Sequence, residues 1–111
     1  MKSEKQRIAI AEACGWRPAK PEEYHLDWDV YIERKIYYGA FHDYPDYPND
    51  LNAMHEAENT FKDLGDFVRY CELLGEVVTG RKEVGLVYRT IHATAAQRAE
   101  AFLKTLNLWK D

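Results

Sequence analysis

Apolar and polar positions repeat with two different periods along this chain, and the changes of period mark its elements. From residue 4 to 14 the repeat is helical. Ile8, Ala11 and Cys14 share one face, Ser3 and Gln6 have capping-box spacing, and Gly15 supplies the stop. The segment "GWRPAKPEEY" follows, a loop punctuated by two prolines. "LDWDVYIERKIYYGAF" (26–41) then alternates with period two. This predicts a sheet face built from Leu26, Trp28, Val30 and Ile32, with Asp27, Asp29, Tyr31 and Glu33 on the opposite, open face. Ile36, Tyr38 and Ala40 continue the covered face. The stretch is far longer than the usual strand of about five or six residues, so a turn near 33–35 would divide it in two. That turn contains no Gly, Asn or Asp, which leaves one long, bent strand as the alternative.

Helical spacing returns over 50–62, with Asn49 as N-cap, and Gly65 and Asp66 interrupt it. A third helix carries Phe67, Tyr70, Cys71 and Leu74 and ends by Gly80. "VGLVYRTIH" (84–92) reads as a third strand. The last helix is the clearest: Thr94 and Gln97 form a capping box, and Ala95, Ala99, Phe102, Leu103 and Leu106 make one stripe. Glu100 stands four residues before Lys104. The predicted fold class is α+β, with a small antiparallel or mixed sheet of about three strands covered by about four helices, in one domain spanning 1–111.

Composition narrows the function classes. The chain has 111 residues, 46% apolar and 31% charged, as in ordinary globular domains rather than disordered ones. No apolar run approaches the roughly 20 residues of a membrane span, and the start lacks the apolar core of a secretory signal. A cytoplasmic protein with no membrane partner is the expectation. A net charge of −4 without a basic block argues against direct DNA binding. Cys14 and Cys71 lack metal-ligand or redox spacing and read as two buried free thiols. Six of the eight tyrosines fall between residues 24 and 47, a supply of flat surface with a polar edge.

Candidate chemistry concentrates in "NDLNAMHEAEN" (49–59), which opens like the zinc-protease motif His-Glu-x-x-His. Asn59 stands where the second histidine is needed, so no metal is expected. On a helical wheel Leu51, Met54, Ala57, Phe61 and Leu64 form the apolar arc, with Glu58 inside it and His55 just outside. His55 and Glu58 can therefore pair along the helix, closing the rim of the core or edging a pocket. The sequence contains no nucleophile elbow, Walker A loop or dinucleotide fingerprint, and no catalytic residue or cofactor is assigned. Trp16 and Arg17 sit on a loop and could stack a base and hold a phosphate. Arg34, Arg81, Arg89 and Arg98 are further cationic candidates.

Three stretches, "IAEACGW" (10–16), "NDLNAMHEAE" (49–58) and "TAAQRAEAFLKTLNLW" (94–109), resemble the phage ABA-sandwich domain family of small phage and prophage proteins. About a third of the chain takes part, in the family's order, and Pro48 replaces the aliphatic residue expected before Asn49. The resemblance implies helix–sheet–helix layering and a viral source, and no reaction. Among phage proteins it points to a non-enzymatic accessory factor acting on host defence from the host cytoplasm. One form would sequester a cyclic nucleotide or related signal through Trp16, Arg17, Tyr37, His55, Glu58 and Arg98. The alternative would contact a host defence protein such as a CRISPR nuclease through Asp27, Asp29, Tyr31 and Glu33. A small hydrolase is the least supported class, and the aromatic surface is compatible with a homo-oligomer.

Overall fold

The computed structural model describes residues 1–38, 44–80 and 92–111. The expected strand over 84–92 falls almost wholly outside these residues, as do Ala40, Arg81 and Arg89. Among the described residues, five helices and two very short strands make a mixed α+β fold that is mostly helical. They are α1 (Ser3–Ala13), β1 (Arg17–Pro18), α2 (Trp28–Arg34), β2 (Ile36–Tyr37), α3 (Leu51–Glu58), α4 (Leu64–Thr79) and α5 (Ala95–Thr105). Single 3-10 turns at Pro21–Glu23 and Tyr47–Asn49 precede α2 and α3.

α1 ends as the sequence requires, because Gly15 takes a positive φ of 99° that other residues adopt only with strain. Its start differs. Lys2 occupies the N-cap without a side-chain cap, and Gln6 donates to the Met1 carbonyl instead of closing a box with Ser3. Ile10 and Ala11 are the buried positions.

The segment predicted as the start of the sheet is the main correction. Residues 28–34 form the helix α2, not a strand. Asp29 in its first turn and Arg34 in its last complement the helix dipole, and Lys35 closes it in the left-handed conformation at φ 55°. The change of period exchanges inside and outside. Tyr31, expected on the open face, is only 4% exposed and donates its hydroxyl to the Glu23 carbonyl at 2.9 Å. Trp28 and Ile32, expected inside, are 51% and 50% exposed. Asp27, Asp29 and Glu33 stay exposed, now around a helix rather than along a strand.

Among the described residues the sheet has two strands, not three, and they run parallel, with Arg17 opposite Ile36 and Pro18 opposite Tyr37. The hairpin expected within 26–41 is therefore replaced by a crossover, with α2 in the connection that parallel strands need. The loop after α1 supplies the first strand: Arg17 N–H donates to the Lys35 carbonyl and Ala19 N–H to the Tyr37 carbonyl.

Beyond β2 the helices lie close to expectation, with shifted ends. Asp50, rather than Asn49, caps α3 by accepting from the Ala53 amide, and the helix stops at Glu58. Gly65 and Asp66 do not interrupt a helix; they lie in the first turn of α4, whose cap Asp63 accepts from the Gly65 amide at 2.7 Å. Gly80 ends α4 at φ 71°. α5 has the predicted reciprocal box, Gln97 N–H to Thr94 Oγ1 at 3.1 Å and Thr94 N–H to Gln97 Oε1 at 2.9 Å. The predicted Glu100–Lys104 pair is present at 2.9 Å.

The core lies along α5. Ala99, Ala101, Phe102 and Leu103 are fully covered and meet Ile10 and Ala11 of α1, Met54 and Ala57 of α3, and Tyr70 and Leu74 of α4. Phe61 bridges two of these elements, with ring centroids 5.0 Å from Phe102 and 5.2 Å from Tyr70. Cys14 is half-buried but Cys71 is exposed, against the expectation of two buried thiols.

The α5 cap gives a direct test of how local its stability is. Thr94→Ala should cost about 1 kcal/mol in urea unfolding, with Thr94→Ser restoring most of the loss.

Candidate functional site

The proposed ligand residues fall into two groups. Around the parallel strands, Trp16 is buried and Tyr37 half-buried, and both pack edge-on against the buried Tyr44, with centroids 6.1 and 5.2 Å away. Arg7 lies over the remaining Tyr44 surface at 4.9 Å and donates to the Tyr44 carbonyl. The flat faces expected to stack a base are thus engaged in an aromatic cluster.

Arg17 is also committed. Its guanidinium makes two parallel bonds to Glu23, at 2.8 and 2.9 Å, and Arg34 stands 3.9 Å from the same carboxylate. The Lys20 amide donates to Glu23 as well. The Arg17 bonds, followed by the Lys20 amide, hold the Glu23 carboxyl at about 2 against an ordinary 4.5. Glu23 had no signal in the sequence, because its partners lie on a separate strand and helix.

The second group joins α3 to α5. Arg98, almost wholly covered, donates from Nη1 to Glu58 Oε1 and Oε2 at 3.0 and 3.2 Å, and from Nε to the Ala93 carbonyl. His55 Nδ1 lies 3.7 Å from Glu58 Oε1, with its ring largely in solvent. The His55–Glu58 proximity read from the wheel is therefore present, but the dominant partner of Glu58 is Arg98, forty residues away in sequence. Tyr70 Oη is buried nearby and, among the described residues, lies outside hydrogen-bonding geometry with any partner. Burial, and next the Glu58 charge, push its phenol above the usual range.

Recesses are present among the described residues. One of about 100 Å³ lies between Cys14, Trp16, Lys35, Tyr47, Glu56 and Thr60. That is well below the roughly 300 Å³ at which small-molecule pockets begin. A second, of about 330 Å³, separates α4 from α5 at Val77, Glu100 and Lys104. Another, of about 460 Å³, is lined by Met1, Lys2, Lys5, Lys110 and Asp111, close to the start of α1.

The face that sequence reasoning missed is that of α2. Trp28 and Ile32 stand one helical turn apart, half exposed, beside Asp29 and Glu33. Trp28 stacks on the buried Tyr31 at 6.3 Å and 16°, which fixes its ring. Tyr24 and Tyr38, also half exposed, meet edge-on at 4.6 Å. The aromatic excess was the available signal, but a period-two reading turned Trp28 inward. Comparison of the chain with protein-family models, curated proteins and solved structures gives no match.

Two measurements follow from these ion pairs. Arg98→Met should cost about 3–5 kcal/mol by removing the main partner of the Glu58 carboxylate, whereas Glu58→Leu with Arg98→Met should recover most of that in chemical denaturation. Glu23 should contribute to the acid limb of stability. Its contribution is complete above about 4.5 and is lost as pH falls through about 2, so the melting temperature should decline across that window. Glu23→Gln should flatten the decline; an unchanged slope would show that other carboxylates set it.

Proposed function

We propose that this chain is a phage-encoded accessory binding protein that counters host defence by covering a protein partner, a defence effector such as a CRISPR nuclease. It does so in the host cytoplasm and catalyses no reaction. The open face of α2 carries this reading. Trp28 and Ile32 offer an apolar anchor held in place by Tyr31, while Asp27, Asp29 and Glu33 surround it with negative charge. Aromatic anchors at the centre of an interface supply most binding energy, and the acidic surround selects a basic partner and speeds encounter. Nucleases that grip nucleic acid present such basic faces. The phage source rests on the resemblance of residues 10–16, 49–58 and 94–109 to small phage proteins.

Of the residues first assigned to protein contact, Asp27, Asp29 and Glu33 keep that role, and Trp28 and Ile32 replace Tyr31. Sequestration of a nucleotide signal is the second reading, favoured by the lysine-lined recess of about 460 Å³. Lys2, Lys5 and Lys110 would take the phosphates there. Trp16, Arg17, Tyr37 and Arg98 are less suited to that role, being engaged with Tyr44, Glu23 and Glu58.

Expression of the chain in bacteria that restrict a phage through a CRISPR nuclease should restore plaques. Trp28→Ala should cost the complex about 2 kcal/mol or more and reduce the rescue while the circular dichroism spectrum stays unchanged. Full rescue by Trp28→Ala with Ile32→Ser would sink the α2 interface. A thermal shift with a cyclic nucleotide that Lys5→Glu abolishes would instead select the sequestration reading.

A further inference from the structure

Most of the cations described so far are engaged within the fold. Arg17 and Arg34 meet Glu23, Arg98 meets Glu58 and Lys104 meets Glu100. Arg7 donates to the Tyr44 and Pro45 carbonyls, and Lys35 to the Cys14 carbonyl. The ammonium groups of Lys2, Lys5 and Lys110 make no hydrogen bond or ion pair among the described residues, yet all three line the recess of about 460 Å³ beside α1.

Tertiary packing brings these lysines together. α5 ends at Thr105, and Asn107 turns the chain at φ 59°, with the Leu108 amide donating to the Leu103 carbonyl at 2.8 Å. Trp109 then packs against the core, as Met1 does, and this seats Lys110 next to the first turn of α1. Gln6 Nε2 holds the Met1 carbonyl at 2.8 Å on that side.

Charge decides what the recess can hold. Asp111 is the carboxylate that lines it, and Trp109 Nε1 donates to Asp111 at 3.2 Å. Glu4, in the same turn of α1, stands 4.0 Å from Arg7 and does not line the recess. Positive charge is therefore in excess there although the chain carries −4 overall, and the concave walls focus its field. Lysine binds phosphate as a compact point charge with three donors. The volume lies within the roughly 300–1,000 Å³ of small-molecule sites. A phosphodiester, as in a cyclic nucleotide, carries about one negative charge per phosphate, whereas a terminal phosphate carries about 1.5 to 2. One diester charge leaves the lysines repelling one another; linked phosphates with a terminal group neutralise them.

We infer that the Lys2, Lys5 and Lys110 recess binds a linear oligophosphate, free or carried by a nucleotide, in preference to a cyclic nucleotide. The inference rests on the sequestration reading for its site and departs from it in the ligand. The three ammonium groups pair with phosphate oxygens, and the Asp111 carboxylate opposes every anion that enters.

The probe is inorganic tripolyphosphate, titrated calorimetrically into the full chain at low salt without divalent cations, with ATP and cyclic AMP for comparison. Tripolyphosphate should bind, and cyclic AMP should bind about tenfold or more weakly. Lys5→Glu and Lys110→Glu should each weaken tripolyphosphate about tenfold or more. Lys62→Glu makes the same change of net charge at an exposed position outside the recess and should alter binding by less than about twofold. Asp111→Asn should strengthen binding, a gain that misfolding cannot produce. ATP and tripolyphosphate of equal affinity would uphold the inference with phosphates alone recognised, and tighter ATP would uphold it with a nucleotide as the source. Cyclic AMP binding as tightly as tripolyphosphate, and lost in Lys5→Glu, would overturn the inference and leave the sequestration reading standing. No binding of any of the three would overturn both. Equal losses in Lys62→Glu and Lys5→Glu would also overturn it, because the attraction would then be general to the surface.

Discussion

A guanidinium taken out of water has to be satisfied where it lies, and Arg98 meets that demand by tying distant parts of the chain together. Its Nε bonds the Ala93 carbonyl just before α5, and its Nη1 holds the Glu58 carboxylate at the end of α3. The penalty for separating such a pair inside a protein is larger than the attraction gained on forming it, so the contact fixes geometry more than it adds net stability. The apolar seam beside it depends on that geometry. Phe61, just beyond α3, reaches both Phe102 and Tyr70 only when the end of α3 is held against α5.

A second charged contact does similar work at the other end of the chain. Glu23 gathers Arg17 from β1 and Arg34 from α2, and its own carbonyl takes the Tyr31 hydroxyl. Two residues per strand offer too few ladder bonds to hold a sheet, and these side-chain bonds supply the rest. With Tyr31 anchored, α2 turns Asp29 and Glu33 away from the core, and Trp28 and Ile32 on its flank stay half exposed beside them, a mixed acidic and apolar surface. The cations and aromatics that looked available for a ligand are the parts from which the fold is made.

Legibility followed the range of the interactions only in part, since the equally local Ser3–Gln6 box and Asn49 cap give way to Lys2 and Asp50. The α5 helix, its capping box and its Glu100–Lys104 pair all involve residues three or four apart, and the structure has each of them. The Gly15 stop was readable for the same reason, since it depends on one residue's own backbone freedom. His55 and Glu58, three apart, were placed together correctly. Arg98–Glu58 and Arg17–Glu23 were not readable, because neither partner's position is implied by the other's place in the chain.

The stretch from 26 to 41 shows where pattern alone fails. Alternation of apolar and polar residues over seven positions is compatible with a strand, yet Trp28 and Ile32 are also one helical turn apart. A strand would have needed a neighbour to bond its backbone, whereas the helix satisfies its own amides and leaves Tyr31 free to reach Glu23. The chain by itself determined where α1 and α4 stop and how α5 is capped, that its fold mixes helix and strand, and that it carries acidic charge with an aromatic excess. Only the tertiary structure decided which aromatics are buried, which arginines are already paired and which faces meet solvent. Those outcomes depend on contacts between segments far apart in sequence, and a local pattern cannot encode them.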